Sequence, residues 1–178
     1  MTACAFYMDR VYLVMVGLQL AGMFVNDFLP LYPEFLWKEP SAPLHFLSQA
    51  SQLYANLSGD PYAKDPSAYP WFEAMVYIEL FCQLPLSLYL VRGLWSRRST
   101  DGPNELVGLA FACLNFMGSA VCTFDLWHFP PSSFEPGQQM TLILSAFGPY
   151  TVISGVMAVD MFNRLLKRVR EQGKSKSH

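Results

Sequence analysis

Four long apolar blocks, each broken by prolines or a charged loop, constrain this chain more than any other feature. A helix needs about 20 mostly apolar residues to cross the roughly 30 Å hydrocarbon layer, because each residue rises about 1.5 Å. Four stretches meet that length: Val11 to Leu29, Trp71 to Leu94, Leu106 to Trp127 and Met140 to Phe162. The expected fold is therefore an all-α, polytopic membrane bundle of four transmembrane helices, with helices two and four kinked. Residues 1–163 form the membrane domain and residues 164–178 a basic cytoplasmic tail. With 52% hydrophobic and only 15% charged residues in 178, neither a disordered chain nor an ordinary soluble enzyme is expected. No basic surface offers itself to a nucleic acid.

Charge placement predicts the orientation. Arg10, Arg92, Arg97, Arg98, Arg164, Lys167, Arg168, Arg170, Lys174 and Lys176 lie on one side, and only Lys38 and Lys64 on the other. Basic residues near helix ends stay cytoplasmic, so both termini are expected there, with residues 30–70 and the loop after helix three in the lumen. The first block contains Gln19, Asn26 and Asp27 and follows Asp9 beside Arg10, which does not fit a cleaved signal peptide. Cys4, Cys82, Cys113 and Cys122 show no metal or disulfide spacing and read as packing residues. No metal and no cofactor is expected.

The chemistry sits in acids placed where acids are costly. Asp27, Glu73, Glu79, Asp125 and Asp160 fall in or at the ends of the blocks. No Lys or Arg occurs between residues 11 and 37 or between 65 and 91. Acids without a basic partner hold a proton in a hydrogen bond to a neighbour or take a cation from outside. Glu73, Asp125 and Asp160 lie close enough to helix ends to reach headgroups, whereas Glu79 lies about 12 Å into its helix. Glu79 and Gln83 share a face above Pro85, and Gly148-Pro149-Tyr150 repeats the proline device in helix four. Two bent helices would leave a gap of steroid size. The alternative is that Gln83 and Asn115 only bond helices together. Asp60 and Asp65 have the sequence context of turn residues, and Asn56-Leu57-Ser58 is a glycosylation sequon close to the membrane.

The run PWFEAMVYIELFCQLPLSLYL, with the Asp of VNDFLPLYP, the D-P of GDPYAKDPSAYPWF and the G-P-Y of helix four, resembles the EXPERA family, and within it the sigma-2 receptor branch related to the emopamil-binding sterol isomerases. The resemblance implies a membrane protein of the endoplasmic reticulum, a homodimer, with a luminal-side cavity taking sterols and cationic amphiphiles and a role in sterol homeostasis. It implies that Asp27 accepts the ligand amine, that Asp60 supports it by a hydrogen bond and that Glu79 shares a proton with them. Gln83 and Tyr150 would line the cavity, with Met23, Phe24, Val76 and Phe147 as further lining. The isomerases of the family resemble one another in a membrane histidine and a late-helix Trp; here no histidine falls in a span and helix four has no Trp. A sterol delta8-delta7 isomerase using Glu79 and Asp27 is thus the alternative from the enzyme class. A third reading is an interaction protein assisting the handling of membrane or mitochondrial precursors, or working beside sterol-transport proteins. Lys174 and Lys176 look like a di-lysine retrieval signal, or else a basic anchor at the membrane surface.

Overall fold

The computed structural model describes residues 3–65, 68–95 and 101–175. Its elements are α1 (Ala3–Gly22), α2 (His45–Ser58), α3 (Pro61–Lys64), α4 (Pro70–Ile78), α5 (Leu84–Trp95), α6 (Gly102–His128), α7 (Gln138–Leu142) and α8 (Gly148–Ser175). No strand occurs among the described residues. Four continuous helical segments are long and apolar enough to cross a membrane: Phe6–Asp27, Pro70–Trp95, Gly102–His128 and Gln138–Lys174. The all-α bundle of four spans is what the block lengths predict.

Three of the four spans are not plain α-helices. Five-residue π-helical segments interrupt them at Met23–Asp27, Glu79–Gln83 and Ile143–Phe147. The two later segments have one construction. A proline lacks the N–H that an α-helix needs, and its ring crowds the carbonyl four residues back. In each case the residue before the proline reaches five residues back instead: the Leu84 N–H bonds the Glu79 carbonyl and the Gly148 N–H bonds the Ile143 carbonyl. A hydroxyl two residues after the proline then takes the carbonyl two residues before it. Ser87 donates to Gln83 O at 2.7 Å and Thr151 to Phe147 O at 3.0 Å. Each hydroxyl thus adds a back-bond to the carbonyl four residues before it, beside the proline turn. A side chain on Gly148 would bring its Cβ to 2.6 Å from Ile143 O, so the tight turn requires glycine. The proline-bearing sites expected to kink the helices are thus π segments. Span one ends in a third, which lacks a proline at the matching position, its Phe28 N–H bonding Met23 O at 2.8 Å.

Helix α6 lies along α8, and α1 packs against α5. Tyr12, Met15, Val16, Leu90, Phe111, Met157 and Met161 form a buried core toward the end holding both termini. That end is fastened by two ion clusters. Arg164 bonds Asp9 at 2.7 Å and Asp160 at 2.7 Å, with the Tyr12 hydroxyl on Asp160 at 3.1 Å. Arg168 grips Glu105 with two bonds, of 2.6 and 2.9 Å. These pairs tie α8 to α1 and α6, and the helix runs unbroken past residue 164 to Ser175. The segment read as a basic tail is therefore mostly helix; Arg97, Arg98 and Lys176 lie outside the described residues. Asp160, expected to reach headgroups, is paired within the protein instead.

At the opposite end, α2 stops where Gly59 adopts a left-handed conformation (φ 71°) and its N–H bonds Ala55 O at 3.0 Å. The chain turns through Asp60 into α3 and enters α4 at Pro70, a residue suited to a first helical turn.

Candidate functional site at the two π segments

The π segments of spans one and two bring their acids together. Asp27 is the last residue of one segment and Glu79 the first of the other, and their carboxyls hydrogen-bond each other. A bond between two carboxyls requires a proton on one of them. Gln19, two turns before Asp27 on α1, donates its amide to Glu79 Oε1 at 3.2 Å. Beside Asp27, the side-chain oxygen of Asn26 is buried without a hydrogen-bond partner. The arrangement is an acid pair held by the Gln19 amide, next to an apolar cluster of Met23, Phe28 and Val76.

Asp60 lies within electrostatic reach of Asp27. It is 4% exposed and its hydrogen bonds are local. Its Oδ1 caps α3, accepting from the Tyr62 N–H at 2.9 Å, and its Oδ2 accepts from the Tyr54 hydroxyl at 2.9 Å. Burial raises its pKa above the ordinary carboxylate value, outweighing those hydrogen bonds, which lower it. The GDPY context does make Asp60 a cap, as a turn residue would be, and the same cap holds it near the acid pair. Asp65 is exposed.

The expected lining divides into four groups. Met23 and Val76 pack on each other beside the acids, and Tyr150, half-buried, comes within electrostatic reach of Asp27. Phe147 belongs to an aromatic cluster around Tyr62, meeting its ring edge-on at 6.0 Å. Phe24 is 42% exposed and turns outward, edge-on to Phe28 at 5.8 Å. Gln83 is buried and donates to Asn115 Oδ1 at 3.0 Å, while the Asn115 amide donates to Ser154 Oγ at 2.6 Å. That chain crosses spans two, three and four, as the helix-bonding alternative anticipates. Two surface clefts lie elsewhere. One of about 300 Å³ is flanked by Lys167, Arg170 and Lys174, and one of about 350 Å³ lies between α2 and the start of span four.

Sequence reasoning misses three partners. Gln19 carries a signal, since positions 19, 23 and 27 recur at helical spacing on one face. Tyr62 carries none: its hydroxyl reaches Asp125 Oδ2 at 2.7 Å from 63 residues away, with its ring stacked on Phe72 at 4.8 Å. Asp125, expected to reach headgroups, is bonded inside the fold. Tyr54 is the third.

Among the described residues, no group of three or more His, Cys, Asp or Glu is placed to hold a metal ion. No curated protein and no solved structure matches the chain. A family model does match, that of EXPERA (EXPanded EBP superfamily), over residues 46–161, which takes in Asp60, Glu79, Gln83 and Tyr150 and leaves Asp27 outside. With four spans in place and well over half of its length matched, the chain belongs to the EXPERA family of membrane proteins.

Proposed function

We propose that this protein binds sterols and cationic amphiphiles at the Asp27–Glu79 pair, as a sigma-2-receptor-like member of its family with a role in sterol and lipid homeostasis. One observation carries the reading: two carboxyls bond each other inside the bundle, and neither of their spans contains a Lys or Arg between residues 11 and 37 or 65 and 91. The shared proton would stay on Glu79, leaving Asp27 as the counter-ion of a ligand ammonium, and the unpartnered oxygen of Asn26 would accept a second N–H or a hydroxyl. Met23, unbranched and flexible, is the side chain best suited to move aside for an apolar ring system. The charge bias supports a luminal position for this end of the bundle with both termini cytoplasmic; the proposed membrane is that of the endoplasmic reticulum, with Lys174 and Lys176 as its retrieval signal. A homodimer is the proposed assembly.

The test is equilibrium binding of a labelled cationic amphiphile to purified protein, wild type against Asp27→Asn. Losing a desolvated ion pair should cost about 3–5 kcal/mol, more than a hundredfold in affinity. Equal affinity in both proteins, or no binding to wild type, would sink the proposal. The same carboxyl pair could serve as acid and base on a sterol alkene, and this second reading is checked by product analysis after incubation with a delta8 sterol.

A further inference from the structure

Helix α2 is built inside out for a helix in water. Its fourteen residues, HFLSQASQLYANLS, contain no Asp, Glu, Lys or Arg. The face turned to the bundle is small and polar: Ser48, Ser51 and Ala55 are its buried residues. The face turned away is apolar, with Phe46 61%, Leu53 60% and Leu57 74% exposed, and Ala50 continues the same i, i+4, i+7, i+11 line. A third edge, Gln49, Gln52 and Asn56, is exposed and polar but uncharged.

Its neighbours fix its depth. α2 packs against the π segment Met23–Asp27 and against α7, both inside candidate membrane spans. The outward surface beside it is apolar as well. Met140 and Leu144 of span four are 45% and 67% exposed, while the cleft of about 350 Å³ between α2 and the start of span four is mixed, with Glu135, Gln138 and Thr141 beside Leu57, Leu142 and Ala146. At about 21 Å the helix is too short to cross the bilayer, and its backbone bonds are satisfied within it.

We propose that α2 lies in the membrane interface, with the Phe46–Ala50–Leu53–Leu57 stripe immersed among phospholipid acyl chains and the Gln49–Gln52–Asn56 edge at headgroup level. The helix then forms a lipid-backed wall over Asp60 and the acid pair, its serines inward and its leucines outward. The proposal is independent of what the acid pair binds.

The experiment uses the wild-type full chain in phosphatidylcholine nanodiscs containing a phospholipid with a diazirine on its acyl chain near the headgroup. After photolysis, adducts are mapped by mass spectrometry. Val152 and Val156, on the outer face of α8 and 65% and 47% exposed, report ordinary lipid contact. Adducts on Phe46, Leu53 and Leu57 at yields comparable to theirs, with Ser48 and Ser51 unlabelled, are the expected result. Loss of labelling across residues 45–58 while Val152 and Val156 are labelled overturns the proposal. So does replacement of lipid adducts by cross-links between two copies of α2, which would make the stripe a dimer contact.

Discussion

The Gln83 amide of span two donates to Asn115 of span three at 3.0 Å, and both side chains are buried. Through Asn115 the bond continues to Ser154 of span four at 2.6 Å. Replacing Gln83 by Ala leaves Asn115 with an unanswered oxygen in an apolar bundle. The expected cost is about 1–2 kcal/mol, near the upper end of measured interhelical bonds. Thermal unfolding in detergent should shift downward, while affinity for a cationic amphiphile in the folded fraction changes far less than for Asp27→Asn. A large affinity loss without a stability loss would move Gln83 into the ligand site.

Asp60 makes stability depend on pH. Its folded pKa is raised by burial, so the folded state favours the protonated acid. The stabilisation is fully present below the unfolded pKa and is lost as pH rises through the raised folded value. Groups acting on it include the Tyr54 hydroxyl, the α3 backbone and Lys64, and Asp27 lies within reach. Asp60→Asn keeps an oxygen for the Tyr62 N–H and removes the titration. Its unfolding midpoint should be flatter than that of wild type across the mildly acidic range; parallel profiles would refute the assignment.

Gly148→Ala places a methyl group 2.6 Å from the Ile143 carbonyl oxygen. The π turn must open or the helix must shift, at about 1–3 kcal/mol as for other overpacked sites. Gly173→Ala, with open space around it, is the control and should be neutral in the same melting assay.

Arg168→Ala strips Glu105, which is 2% exposed, of its two guanidinium bonds. Breaking a fully buried pair costs about 3–5 kcal/mol, and the partial exposure of Arg168 brings the expectation nearer ~2 kcal/mol. Adding Glu105→Gln should recover part of the loss, because the buried carboxylate that has lost these two bonds is then neutral. A double variant less stable than Arg168→Ala alone would contradict this account.

Four spans are legible in the sequence because length and hydropathy alone decide whether a helix can cross a bilayer. The positions of Asp27 and Glu79 are legible because acids stand out in apolar runs. Their pairing follows only from the family resemblance, since spacing says nothing about which helices meet. Gln83 is open between lining and bonding, because a buried amide looks the same in sequence in either role. Arg164 and Arg168 read as part of a basic cytoplasmic tail; only the fold shows that α8 continues far enough for them to meet Asp9, Asp160 and Glu105. The segment Met23–Asp27 lacks the proline two residues after its end that follows the other two π segments, and α2 is hidden by its short length.

Each π turn holds one residue more than an α-helix would over the same contacts, so the two halves of spans two and four are set out of phase. Deleting one residue within Glu79–Gln83 would remove that offset and rotate one half of span two by about 100° against the other. Glu79 could then stay on Asp27, or Gln83 on Asn115, but not both. The extra residue is what lets one helix face two neighbours, and the length of this segment is therefore as constrained as its composition.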